Sequence, residues 1–423
     1  MAQAAQDFHK RVSALGKVRP THRDHSCMER KLLQALAFIS CCSHLILAIS
    51  PSDDFHDYVA NYGIHSESHT IVTEDGYILT AFRLPRPGAK VVMFQHGILS
   101  SAWCWIDNNP SLAPALQVYN MGYDVWLTNS RGNTYSRQHK ELKPTLNKAF
   151  WNFSFADLGR KDVPANIEYI LSTTKEASLT LIGHSQGTSQ VFVALTDPAT
   201  KDLMKARVNL FVALSPITYM SHQSAKLFSL LTYFGVGQSL MDLWPYGAFE
   251  WRSLASMAHG ICILTAGQLC KLTVDTICGI SSEDTDGAIN NISAHFPAGT
   301  SIKSIEHYGQ LISSGGFKDY DYGADENMKV YGSKEPPSFV LRDAAKIPIA
   351  MFIGTHDDLG DVKDESRAAS ELPEESSVFT EFFVDFSHIT WIGGNKKSFE
   401  AWFPKMQKLL RQYNPLGDQV LVV

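Results

Sequence analysis

The chain has 423 residues, 44% of them hydrophobic and only 19% charged, so it is long and apolar enough to bury one large core and still carry an insertion. Its net charge of −6 excludes the broad positive field that nucleic-acid binding requires. The sequence shows no internal repeat, low-complexity tract, Gly-rich phosphate loop or His/Cys group at zinc spacing, and its 16 histidines are scattered, so no metal and no cofactor is expected.

The first 50 residues read as a leader. A charged cluster, Met28-Glu29-Arg30-Lys31, precedes a largely apolar run over 32–49, and the polar Ser50-Pro51-Ser52-Asp53-Asp54 closes it. These are the n-region, h-region and cleavage zone of a secretory signal, with cleavage expected after Ala48 or Ser50, although Pro51 opposes the second. The stretch ahead of Met28 is long for an n-region. Either translation starts at Met28, or the leader stays as an uncleaved anchor. Gln34, Ser40 and His44 interrupt the apolar run and make a poor membrane span, which favours cleavage and a secreted or lysosomal destination.

Beyond the leader, apolar β-prone runs predict eight strands, at 70–73, 79–84, 90–95, 124–128, 179–182, 210–214, 347–353 and 378–383. Helical patterns such as 161–170 and 188–195 separate most of them. Alternation of this kind implies an α/β fold with a mostly parallel sheet covered on both faces. The third run opens into the loop His96-Gly97-Ile98-Leu99. The fifth leads into Gly183-His184-Ser185-Gln186-Gly187, where a serine between two glycines marks a sharp strand-to-helix turn that exposes its Oγ for nucleophilic attack.

After the sixth strand the alternation stops. Residues 217–338 are mainly helical, and Leu227, Leu230, Leu231 and Phe234 lie at i, i+3, i+4 and i+7 on one helix face. An insertion at this point stands above the C-terminal ends of the strands. It is expected to form a cap with a movable lid, its Leu, Phe, Trp and Met side chains walling a lipid-binding cavity, while 51–216 and 339–423 form the core.

The seventh strand runs into Gly354-Thr355-His356-Asp357-Asp358-Leu359-Gly360-Asp361, a loop dense in carboxylates, and the eighth into Asp385-Phe386-Ser387-His388. Serine, acid, histidine is the chain order of an α/β-hydrolase triad: His388 takes the Ser185 proton, and a loop carboxylate holds its imidazole in the required tautomer. The oxyanion that develops needs preorganised N–H donors, and the backbone amides of Ile98 and Gln186 are the candidates. His96 is read as shaping its loop, and Asp361 as capping the helix that follows.

Six motifs together carry a more specific resemblance. Val72-Thr-Glu-Asp-Gly-Tyr-Ile-Leu79, Gln95-His-Gly-Ile98, Asn129-Ser-Arg-Gly-Asn133, Phe150-Trp-Asn-Phe-Ser-Phe155, Gly183-His-Ser-Gln-Gly-Thr188 and Pro297-Ala-Gly-Thr-Ser301 stand in the order of the acid lipases, the α/β-hydrolase family that includes gastric and lysosomal acid lipase. The resemblance spans about residues 55–410 and places the triad on Ser185, Asp357 and His388. One departure is Gly354-Thr355, where the family tends to have two glycines before the acid, and it leaves Asp358 as a rival to Asp357.

Cys27, Cys41 and Cys42 belong to the leader, and Cys262, Cys270 and Cys278 recur every eight residues. A short disulfide pinning the insertion suits the secretory route. The resemblance implies Cys262–Cys270 with Cys278 free, whereas the sequence alone also allows Cys270–Cys278. Asn152 and Asn291 head N-glycosylation sequons, and Asn291 is preferred because Asn152 lies in a motif expected to be packed. The function implied is a serine lipase that hydrolyses long-chain fatty-acid esters, triacylglycerol or sterol ester, at a lipid–water interface. The alternatives are a carboxylesterase of the same fold acting on smaller esters and a non-catalytic lipid carrier.

Overall fold

The most apolar runs of the sequence form the middle of one nine-stranded sheet in a computed structural model that describes residues 55–225, 260, 265 and 268–417. The strands are β1 Glu67–Val72, β2 Tyr77–Leu84, β3 Val91–Gln95, β4 Asp124–Thr128, β5 Gln138–His139, β6 Leu179–Ser185, β7 Val208–Pro216, β8 Ile349–Gly354 and β9 Ser377–Phe383. Their order is β1-β2-β4-β3-β6-β7-β8-β9, with β5 against β2. From β4 to β9 every pairing is parallel, and β1, β2 and β5 add an antiparallel edge.

The helices used below are α1 Val163–Thr174, α2 Gln186–Thr196, α3 Gln268–Cys278, α4 Asp286–His295, α5 Ile302–Ser314, α6 Ala324–Tyr331, α7 Val362–Glu371, α8 Thr390–Gly393 and α9 Lys396–Tyr413. Every residue of β3, β4, β6 and β8 is buried because both faces of the sheet are covered. The two-residue period of a strand then deals its side chains to two cores. Val91, Met93, Met351 and Ile353 pack with α1 and α2, while Val92, Phe94, Ala350 and Phe352 pack on the other face with Trp402 and Met406 of α9. Each such Val, Ile, Met or Phe side chain, fully buried, contributes roughly 1.5–3 kcal/mol.

Several boundaries differ from the apolar pattern for identifiable reasons. β1 starts at Glu67 rather than residue 70, because Glu67 stands opposite Arg83 and pairs with its guanidinium at 3.0 Å, a cross-strand contact invisible to hydropathy. β8 starts after Pro348, which has no N–H for the ladder but whose carbonyl accepts from the Phe211 amide. The helix expected over 161–170 begins at Val163, with Pro164 in its first turn where a missing N–H is tolerated, and a π-helical turn over Leu158–Asp162 precedes it. β5 is a two-residue polar strand and has no apolar signature.

Between β7 and β8 the described residues form α3 to α6. The apolar face through Leu227, Leu230, Leu231 and Phe234 lies outside the described residues, as does the leader over 1–50. Among the described residues no helix is long and apolar enough to cross a membrane.

Candidate active site

β6 runs straight into the Gly-His-Ser-Gln-Gly turn and ends on Ser185, whose φ of 55° and ψ of −127° place a non-glycine residue where a Cβ is strained. The glycines make this turn fit. A Cβ on Gly187 would meet the carbonyl oxygen of Gln95 at 2.3 Å, and one on Gly97 would meet the Cβ of Ser185 at 2.9 Å. Gly97 therefore brings the 97–98 peptide against the serine from the β3 loop. Gln186 begins α2 immediately behind it, adding the positive end of a helix dipole.

His388, 203 residues further along the chain, places Nε2 2.7 Å from Ser185 Oγ. Its Nδ1 faces both carboxylate oxygens of Asp357, at 2.9 and 2.8 Å. A carboxylate only accepts, so Nδ1 carries the proton and Nε2 is the free base aimed at the hydroxyl. Asp357 is aimed in turn by its own loop, since Oδ1 accepts the backbone N–H groups of Leu359 and Gly360. Ser185, Asp357 and His388 are all buried. Asp358 points elsewhere and accepts from Ser224 Oγ at 2.6 Å. Asp361 caps α7 by accepting the Lys363 amide.

The six motifs also meet one another, which explains why they occur together. Ala298 donates to the carbonyl of Leu99 in the β3 loop and accepts from the Thr134 amide. Ser301 Oγ donates to the carbonyl of Phe153. His96 accepts the Ser130 amide at Nε2 and donates from Nδ1 to the Gly97 carbonyl; burial pushes its pKa down to about 4, so the ring stays neutral and holds the loop.

Comparison with known proteins then decides the family. Residues 55–109 match the model of the partial alpha/beta-hydrolase lipase region, and residues 90–250 that of the alpha/beta hydrolase fold. Human lysosomal acid lipase/cholesteryl ester hydrolase is 31% identical over 389 residues, covering 87% of this chain and 94% of the relative. The chain belongs to the acid lipase family of the α/β-hydrolases. Human gastric triacylglycerol lipase is similar at 32% identity over 351 residues, covering 79% of this chain and 85% of its own. A solved soluble variant of monoglyceride lipase from Saccharomyces cerevisiae shares the fold, with a TM-score of 0.50 at 12% identity over 82% of this chain and 96% of that one. This acid lipase family member is accordingly a carboxylic ester hydrolase.

Two groups that hold His388 escape sequence reasoning. His184, the residue between Gly183 and Ser185, donates from Nε2 to the His388 carbonyl at 2.7 Å, and burial, reinforced by the neighbouring His388, pushes its pKa down to about 3. Its place inside the Gly-x-Ser-x-Gly string is the only signal that could have flagged it. The second is a strap over 278–285 in the insertion. The Cys278 carbonyl accepts the His388 amide at 2.9 Å, and Asp284 accepts from Ser387 Oγ at 2.6 Å and Thr390 Oγ1 at 2.7 Å, on either side of the histidine. Ser281 and Ser282 bond to Asp385. Gly279, with φ of 90°, passes so close to the acid loop that a Cβ would fall 1.8 Å from the His356 carbonyl oxygen. The strap thus touches the acid loop and the histidine loop at once.

Among the cysteines, Cys104 and Cys278 are free and Cys270 is disulfide-bonded, so a Cys270–Cys278 bridge is not formed. Cys262 lies outside the described residues. The sequon preference is corrected in its reasoning: Asn152 is exposed rather than packed, with only Oδ1 engaged, by Lys303 at 3.0 Å. Asn291 is exposed too, but its amide nitrogen already donates to the Asp107 carbonyl at 2.8 Å. Among the described residues no group of three His, Cys, Asp or Glu side chains is placed to hold a metal ion.

Proposed function

We propose that the protein is a secreted or lysosomal serine lipase that hydrolyses carboxylic esters of long-chain fatty acids, triacylglycerol or sterol ester, through an acyl-enzyme on Ser185. One observation carries the mechanism: the unbroken chain of hydrogen bonds from Ser185 Oγ through His388 to Asp357 at a strained turn. Oγ attacks the ester carbonyl while its proton passes to His388 Nε2, and the imidazolium is stabilised by Asp357. The amides of Ile98 and Gln186 receive the oxyanion, which collapses as His388 returns the proton to the departing alcohol. Water then attacks the acyl-enzyme with His388 again as base, and the fatty acid leaves.

The lipid substrate rests on the named activities of the human relatives and on the insertion above the serine, where a long acyl chain needs an apolar wall and water must be kept out. The luminal destination rests on the same relatives and on the leader. A Cys262–Cys270 bridge and glycosylation at Asn152 or Asn291 belong to this reading. The deciding experiment is a panel of esters of increasing acyl length. A kcat/KM that rises from short to long chains over at least about tenfold supports a lipase, since only long chains gain binding energy from the wall. A preference for the shortest, most soluble ester assigns the chain to the carboxylesterases.

A further inference from the structure

The acid loop carries a second carboxyl that the mechanism above does not use. Glu365, in the first turn of α7, is 2% exposed, and neither of its carboxyl oxygens has a hydrogen-bond partner. An ionised carboxylate in that setting would lose its hydration and receive nothing in exchange, so the group keeps its proton. Burial pushes it well above the usual carboxylate range, and the charges acting on it, Asp357 from the acid loop and Asp361 and Asp364 from its own turn, push the same way. Asp364 is itself bonded to the amide and ring Nδ1 of His222, from the segment after β7.

A neutral carboxyl has an O–H to donate, and the space beside Gly360 brings it near the triad acid. A Cβ on Gly360 would lie 2.1 Å from Glu365 Oε1 and 3.2 Å from Asp357 Oδ2, so both carboxyls border the space left open because residue 360 has no side chain. Asp357 Oδ1 already accepts from Leu359, Gly360 and His388, whereas Oδ2 accepts from His388 and has a lone pair to spare.

We propose that Glu365 is a positioning residue for the triad, its protonated carboxyl donating to Asp357 Oδ2 as a fourth link behind Ser185, His388 and Asp357. The proposal rests on the roles assigned to those three residues above. Its consequence for pH has a definite sign. A hydrogen bond donated to Asp357 spreads its negative charge, so the imidazolium of His388 is stabilised less and the neutral base persists to lower pH. Without that hydrogen bond the full charge of Asp357 faces the ring, the imidazolium is stabilised more, and the free base is regained only at higher pH.

The test is the pH profile of kcat/KM for the full chain on a short, soluble ester, comparing the wild type with Glu365→Gln and Glu365→Leu. Glutamine still donates but cannot ionise. Its acid limb should coincide with that of the wild type. Leucine cannot donate, so the apparent pKa of its acid limb should rise by about half a unit or more, with kcat reduced severalfold and KM unchanged. Profiles that superimpose on the wild type for both variants overturn the proposal. If the leucine variant does not fold, Glu365→Met, equally unable to donate, takes its place, and an acid limb unmoved from that of the wild type overturns the proposal. Ser185→Ala is run in parallel: an active Ser185→Ala enzyme sinks the serine mechanism itself, whereas an inactive one beside superimposed Glu365 profiles sinks only this inference.

Discussion

Ser185 is placed by five consecutive residues and the backbone they can adopt, whereas His388 is placed by groups from three distant stretches of chain. The elbow needs Gly187 because the Gln95 carbonyl passes 2.3 Å from where a Cβ would be, and the strain at Ser185 is held by the strand before it and the helix after it. The histidine loop owes its position to the ring of His184, the carbonyl of Cys278 and the carboxylate of Asp284, with Trp391 beneath it bonded to Ser215 Oγ at 2.6 Å. Two of those contacts come from the insertion. A nucleophile built on rigid backbone should be insensitive to movement of the insertion, and a base stitched to the insertion should not.

The largest effect that separates the two regions is at the acid. Asp357→Asn should keep the geometry but favour the wrong tautomer of His388, lowering kcat by about 10⁴, as in the serine-protease template. Asp358→Asn, whose carboxylate bonds Ser224 instead, should stay within a few-fold of the wild type. Steady-state kinetics of the pair decides between neighbours, and the reverse ranking would move the assignment by one residue.

A smaller loss is expected where the insertion meets the base. Asp284→Ala removes the acceptor shared by Ser387 and Thr390, and a histidine displaced by a fraction of an ångström should lower kcat by about 10–100-fold with KM little changed. An unchanged kcat, with only the melting temperature affected, would reduce the strap to fold support. At the elbow, Gly187→Ala forces backbone against backbone and should destabilise by about 1–3 kcal/mol, measured by denaturant unfolding. Asp361→Ala, the loss of a helix cap well away from the chemistry, should cost about 1 kcal/mol of stability and leave turnover intact.

Legibility in the sequence follows the same division. The central strands can be read from hydropathy because both faces of β3, β4, β6 and β8 are covered and most of their residues are apolar. The serine turn can be read because its cause, glycine on either side of a strained residue, is local. The acid is readable only to within two neighbours: direction along a loop depends on the Leu359 and Gly360 amides that aim Asp357, and no periodicity encodes them. Asp284, His184 and Glu365 have no local signature for their places around the triad, because those places depend on partners more than 70 residues away for the first two and on the missing side chain of Gly360 for the third. The early start of β1 is hidden in the same way, in one ion pair across to Arg83.

The central claim is that Ser185 is a nucleophile activated by His388, and covalent labelling tests it most directly. Purified full-length protein treated with a fluorophosphonate should gain one adduct, mapped by peptide mass spectrometry to Ser185, with hydrolysis lost in proportion and with no labelling of folded Ser185→Ala. An adduct on another residue, or a Ser185→Ala protein that keeps more than about a tenth of its activity, would contradict the account.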